Sequence, residues 1–202
     1  MSVPAGNLRC LTRSRQAILV TTGNYTGVSA RLETLQKVSE VWEPAFPPTR
    51  AVIGKNGFAY SKVEGDGKTP IGVYSLGTVF GRGENPGTRL PYRQTTANDF
   101  WVDDPGSALY NTWQVGPARG RWDTAEPLYA YYPYAVVINY NTRERISGMG
   151  SAVFLHVWDE PGEGTSGCVA LSQQRLLEII RWLDPAKNPL LVMGPVFEVA
   201  RW

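Results

Sequence analysis

Residues 151–172 read SAVFLHVWDEPGEGTSGCVALS, and this stretch joins a strong structural pattern to the most reactive side chains of the chain. The apolar run 151–158 is typical of a buried strand, and it carries His156, the only histidine, near its end. A turn rich in glycine leads from there to Cys168, one of two cysteines. The sequence therefore predicts a strand, a loop and a return that bring His156 and Cys168 together.

Such a pair has a well-defined chemistry. A histidine can take the proton of a cysteine, and the thiolate can then attack an acyl carbon to form a thioester. The oxyanion that develops needs backbone N–H donors, for which the N–H groups around Ser166, Gly167 and Cys168 are the candidates. Gly167 also lets the chain turn tightly before the nucleophile. The pair alone leaves a second interpretation open, in which both residues are buried and structural.

Apolar runs separated by turn signals recur along the rest of the chain. With 21 glycines and 15 prolines, the composition is typical of a loop-rich β protein. Further strands are predicted in 17–22, 30–38, 50–60 (two pieces around Asn56-Gly57), 71–76, 134–141 and 190–193. One helix is well marked: it follows Ser172 as the N-cap, repeats apolar residues at helical spacing and stops before Pro185. The predicted fold class is mainly β with some α.

The 202 residues suit a single domain. We expect an N-terminal extension over 1–16 and one catalytic domain over 17–202. Residues 81–133 are rich in turn formers and aromatics, which predicts long loops with short strand or helix pieces. Whether they form a lid is left open.

Charge and composition exclude several classes of function. The net charge of +2 without a Lys/Arg run gives no electrostatic footprint for nucleic acid. No apolar run is long enough for a transmembrane segment, and no signal peptide is visible. One histidine and two distant cysteines do not supply a zinc site, so we predict no metal and no cofactor, although a carboxylate-only site stays open.

Residues near the Cys–His pair are candidates for substrate binding. Trp158 lies two residues after His156 and would share its strand face. Asn139 and Tyr140 end the preceding predicted strand and could line the same groove, and Thr165 lies in the turn before Cys168. Core packing is the alternative for Trp158.

Several carboxylates could suggest another chemistry. Asp103 and Asp104, with Glu126, could form the acid pair of a glycoside hydrolase. Asp-Asp-Pro-Gly is more simply a turn, and Glu64 with Asp66 lies in a similar turn. The sequence favours the turn interpretation.

Residues 151–172 resemble the active-site segment of the YkuD-type L,D-transpeptidases. That family has a histidine, a spacer and then Ser/Thr-His-Gly-Cys before an apolar residue. The positions that match are His156, Thr165, Gly167, Cys168 and Val169. Ser166 stands in place of the second motif histidine and the spacer is short, which fits a branch with a Ser/Ala-Gly-Cys motif.

The resemblance extends over roughly residues 17–195. It is carried by RAVIGKNGFA (50–59), EGDGKTPIGVYSLGTVFG (64–81), WVDDPGSALYNTW (101–113) and YAVVINYNTRERISGMGSAVFLH (134–156). It implies a YkuD-like β-sandwich-type catalytic domain.

The resemblance also implies an activity. Cys168 would be acylated by a peptidoglycan tetrapeptide stem at its position-3 carbonyl, with His156 as acid and base. Transfer to an amine of a neighbouring stem would give a 3→3 cross-link. Water as acceptor would make the protein an L,D-carboxypeptidase, and a D-amino acid would make it an exchange enzyme. A non-catalytic wall-binding module is a further alternative. Carbapenem-type inhibitors are expected to acylate Cys168, and the expected location is extracytoplasmic.

Overall fold

The computed structural model describes residues 8–202. Residues 1–7 of the predicted N-terminal extension lie outside the described residues. The remainder of that extension includes Leu8 and Leu11, which are buried against Ala17 and Leu19. The chain from residue 8 onward therefore packs on the same body as the rest.

Strands dominate the chain, which confirms the predicted mainly β class. The strands are β1 (Gln16–Thr22), β2 (Ser29–Val38), β3 (Val41–Val52), β4 (Phe58–Ala59), β5 (Thr69–Pro70), β6 (Gly72–Gly81), β7 (Tyr92–Gln94), β8 (Asp99–Val102), β9 (Trp113–Val115), β10 (Ala125–Pro127), β11 (Tyr134–Ile138), β12 (Phe154–Val157), β13 (Val169–Leu171) and β14 (Leu190–Pro195). The α-helices are α1 (Leu128–Tyr131), α2 (Gln173–Trp182) and α3 (Val196–Val199), and short 3-10 turns cover Arg9–Leu11 and Pro185–Lys187.

The largest sheet closes on itself. Its order is β11-β12-β13-β3-β2-β1-β14-β6-β7, and β6 also pairs with β11. Side chains of one strand therefore alternate between the inside and the outside of a barrel-like ring. In β1, Ile18 and Val20 belong to the main core, whereas Ala17 and Leu19 belong to a second cluster on the other face.

The predicted helix is confirmed as α2. It follows Ser172 at the N-cap position and buries Leu176, Ile179 and Ile180 in the main core. The backbone becomes extended at Leu183, two residues before Pro185. This end is expected, because a proline cannot continue a helix. Because α2 follows β13 directly, it fixes the far end of the strand that begins next to Cys168.

Strand β3 is longer than the sequence indicated. It contains Pro44, Pro47 and Pro48, which cannot donate to a ladder and so hide the pattern of a strand. It forms a hairpin with β2 through Ser39 and Glu40, both with positive φ. Only its last residue, Val52, pairs with β13. The prolines therefore lie in the part of β3 that pairs with β2 but has no pairing with β13.

Within residues 81–133, β7 pairs with β6 at the edge of the large sheet, and β10-β8-β9 form a small antiparallel sheet that is followed by α1. Aromatic rings attach it to the main sheet: Phe80, Trp101 and Tyr132 all pack edge-on against neighbours that include Phe154. Cys168 belongs to this same cluster. This region therefore lies directly over the cysteine.

Within residues 8–202, every helix is too short or too polar to cross a membrane.

Candidate active site

Two neighbouring parallel strands bring His156 and Cys168 together. In the register of β12 and β13, His156 lies opposite Ala170. Cys168 comes two residues before Ala170, so its side chain and that of His156 project from the same face of the sheet. Both residues line one pocket of about 630 Å³. The structure thus brings together the pair that the sequence predicted.

The turn before the cysteine requires a glycine. Gly167 has a φ of +147°, and a Cβ there would lie 2.8 Å from the carbonyl oxygen of Lys68. Thr165 holds the turn from inside, since its hydroxyl donates to the Cys168 carbonyl at 2.7 Å and accepts from the Gly167 N–H at 3.1 Å. Thr69, fully buried, donates to the Gly167 carbonyl at 2.8 Å. These bonds fix the backbone that carries the nucleophile.

The same bonds bear on the predicted oxyanion donors. The Gly167 N–H already donates to Thr165, so it would have to leave that hydroxyl to reach a substrate. Ser166 is exposed and lines the pocket. The oxyanion role of Ser166 and Gly167 stays a prediction, and Thr165 is placed as a support of the turn.

The Cys168 thiol is buried and neutral. Its Sγ accepts from the Phe154 N–H and donates to the Ala152 carbonyl, both at 3.2 Å. Burial raises the pKa of Cys168 to about 12, and the nearby Glu126 adds to the rise. The Phe154 N–H and Lys62 act in the opposite direction without reversing it. A base must therefore remove the proton when the thiol reacts.

His156 is prepared to be that base. Its Nδ1 lies 2.7 Å from the carbonyl oxygen of Val157, and because a carbonyl only accepts, Nδ1 carries the ring proton. Nε2 is left with a free lone pair. Burial lowers the pKa of His156, which keeps the imidazole neutral. The ring of Tyr132 packs edge-on against the imidazole at 5.2 Å between centroids and holds its orientation.

Trp158 lies at the pocket, whereas two other candidates for substrate binding lie away from it. Trp158 lines the pocket. In the antiparallel pair of β11 and β12, Ala135 lies opposite His156, so Asn139 and Tyr140 follow the opposite end of β11. Neither residue lines the pocket formed by the described residues. The strand direction carries them away from His156, and their role in substrate binding stays a prediction.

Asn139 and Tyr140 have other partners. The Asn139 amide donates to Ser75 Oγ at 2.9 Å. The Tyr140 hydroxyl donates to the Met149 carbonyl at 2.5 Å, and its ring packs against Tyr74. These contacts tie the end of β11 to its surroundings.

The pocket also contains carboxylates for which the sequence predicts no role in this site. The sequence favours a turn for Asp103 and for Glu64, and it offers Glu126 only as a partner of Asp103 and Asp104 in a glycoside-hydrolase pair. The structure gathers Glu64, Asp103 and Glu126 from three separate segments into the lining, together with Lys62. Their separation along the chain gives no local pattern, so only the fold reveals their proximity.

Glu126 is the most perturbed of these carboxylates. Its pKa is raised to about 7, mainly by burial and further by the charges of Asp103 and Glu64. The Tyr132 hydroxyl donates to Oε1 at 2.5 Å, which offsets part of the rise. A carboxyl group in this state can exchange protons near neutral pH.

The chain matches the family model of the YkuD L,D-transpeptidase catalytic domain over residues 31–196. That match covers most of the chain, and the protein belongs to this family. Comparison with curated proteins found no match. Membership supports an L,D-transpeptidase-family function directed at peptidoglycan and suggests an extracytoplasmic location.

Proposed function

We propose that the protein is a peptidoglycan L,D-transpeptidase that uses Cys168 as its nucleophile and His156 as its acid and base. The observation that supports this most strongly is the register of β12 and β13, which places a neutral thiol and a neutral imidazole with a free Nε2 on one wall of a pocket. A family model that spans both residues agrees with it.

In the first half of the reaction the enzyme becomes acylated. His156 Nε2 takes the proton of Cys168 as Sγ attacks the position-3 carbonyl of a tetrapeptide stem. The oxyanion is stabilised by backbone N–H groups of the turn 166–168. His156 then returns the proton to the amine of the terminal D-amino acid, which leaves. The thioester of the tripeptide on Cys168 remains.

In the second half the acyl group passes to an acceptor. A side-chain amine of a neighbouring stem attacks the thioester carbon, the C–S bond breaks, and His156 moves a proton from the amine to the departing sulfur. The product is a 3→3 cross-link. Water or a free D-amino acid would use the same acyl-enzyme, which keeps L,D-carboxypeptidase and exchange activity as alternatives.

The test is to incubate the protein with purified disaccharide-tetrapeptide and to identify the products by mass spectrometry. We expect a dimer with a 3→3 bond, and no product from Cys168→Ala. Tripeptide without dimer would identify a carboxypeptidase. If wild type gives no product even with a reductant present, a non-catalytic wall-binding module is the better description.

A further inference from the structure

Glu126 lies in the acyl-transfer pocket but has no part in the reaction described above. It comes from β10, far from Cys168 in sequence, yet it lines the same pocket as Cys168 and His156. It is close enough to the thiol for its charge to raise the pKa of Cys168. A carboxylate at this place disfavours the thiolate form of Cys168, so activation of the thiol does not explain its presence.

The surroundings of Glu126 connect it to the base. Tyr132 donates a hydrogen bond to Glu126 Oε1, and the ring of the same tyrosine packs against the imidazole of His156. Tyr132 thus holds Glu126 and His156 on either side of itself. The carboxylate is therefore oriented by a residue that also contacts the base.

A second observation indicates what the pocket receives. Asp103, another lining residue, has a buried oxygen, Oδ1, without a hydrogen-bond partner among residues 8–202. Such an oxygen costs free energy as it stands, and a turn of the Asp103 side chain would let a ligand in the pocket supply the missing donor. Glu64 also lines the pocket, and its charge and that of Asp103 both act on Glu126. A group that carries positive charge and several N–H donors fits this wall, and a primary ammonium is such a group.

Transfer to an amine requires two protons to leave that ammonium. The amine is protonated near neutral pH, since a lysine-like amine has a pKa of about 10.4. One proton must be lost before nitrogen can attack. The second is lost after attack, and His156 passes it to the sulfur. A second acceptor in the pocket, next to the bound ammonium, would speed the loss of the first proton relative to its loss to solvent.

We propose that Glu126 binds the ammonium of the acceptor and accepts its first proton, with Asp103 and Glu64 completing the subsite. This inference rests on the proposed function. Glu126 carboxylate takes one proton from R–NH₃⁺ to give R–NH₂. The nitrogen then forms the C–N bond, the C–S bond breaks, and His156 carries the second proton from nitrogen to Cys168. The products are an amide, a neutral thiol and protonated Glu126, which releases its proton to solvent.

The test compares two products of one acyl-enzyme in Glu126→Gln. Disaccharide-tetrapeptide yields dimer by transfer to an amine and tripeptide by hydrolysis, so the ratio of dimer to tripeptide does not depend on the acylation rate. We expect this ratio to fall by about tenfold or more, since a positioned proton acceptor contributes at least that much. Glu126→Asp, which keeps the charge, should retain part of the transfer.

Two measurements guard against misfolding and general charge effects. Intact-mass detection of a carbapenem adduct in Glu126→Gln shows that the pocket and Cys168 are functional. Glu144→Gln makes the same chemical change at an exposed residue that does not line the pocket and should leave the ratio unchanged.

The inference is overturned if Glu126→Gln keeps the wild-type ratio of dimer to tripeptide. If the ratio is kept while both products fall equally, the carboxylate acts before the acceptor enters. It is also overturned if wild type makes tripeptide and no dimer. In that outcome the acyl-enzyme still forms on Cys168, but no amine accepts the acyl group. Absence of any adduct or product in wild type would instead remove the proposed function itself.

Discussion

The two walls of the pocket are built in different ways. The strand wall, formed by His156, Cys168 and Ala170, comes from two adjacent parallel strands whose register places the side chains. The carboxylate wall, formed by Glu64, Asp103 and Glu126, is assembled from segments far apart in the chain. The first wall makes and breaks the acyl bond. The second, in our proposal, receives the amine, and the two can be altered separately.

The largest effect is expected on the strand wall. His156→Ala removes the base, while the burial that raises the pKa of Cys168 is still provided by the surrounding core, so the thiol stays protonated. Acylation by a carbapenem should slow by about two to four orders of magnitude, the usual worth of a general base. The rate is measured by stopped-flow absorbance, with Glu144→Gln as the control. A rate near that of wild type would contradict the role of His156.

The turn that supports the strand wall should be the next most sensitive. In Gly167→Ala the new Cβ would lie 2.8 Å from a backbone oxygen at a φ of +147°. We expect a loss of about 2–3 kcal/mol in the free energy of unfolding, measured in urea, and a slower acylation. Gly120→Ala is the matched control, because Gly120 also has positive φ, at +77°, but open space around it. Equal losses in both variants would mean that the close approach to Lys68 does not matter.

A substitution in the carboxylate wall should raise the free energy of unfolding, whereas Gly167→Ala lowers it. The folded-state pKa of Glu126 is raised from 4.5 to about 7. The buried carboxyl therefore contributes stability below pH 4.5, and this is lost as the pH rises through 7. Glu126→Gln stays neutral, so at pH 8 it should be more stable than wild type by about 1–3 kcal/mol.

The difference between Glu126→Gln and wild type should shrink at pH 5, where both side chains are neutral. Urea unfolding at the two pH values measures it. A variant that is less stable than wild type at pH 8 would show that the charge of Glu126 is not a cost to the fold.

The comparison of the walls also shows how far the sequence could lead. The strand of His156, the glycine turn and the helix after Cys168 are local patterns, so the sequence predicts them together with the reactive pair. Glu64 and Asp103 lie in turn-forming stretches, and nothing local distinguishes a turn carboxylate in solvent from one in a pocket. The position of Asn139 and Tyr140 relative to the pocket cannot be predicted from the sequence, because a strand pattern does not reveal which of its ends lies beside His156. The prolines of β3 also hid a strand, because proline lacks the N–H that a ladder uses and a run that contains it is not expected to be a strand.

The most direct test of the central claim is intact-mass spectrometry of the protein after exposure to a carbapenem, with peptide mapping of the adduct. Our account predicts one adduct on wild type, located on Cys168, and none on Cys168→Ala. Cys10, the other free cysteine, should stay unmodified in both. An adduct that persists on Cys168→Ala, or a wild type that never forms one, would contradict the account.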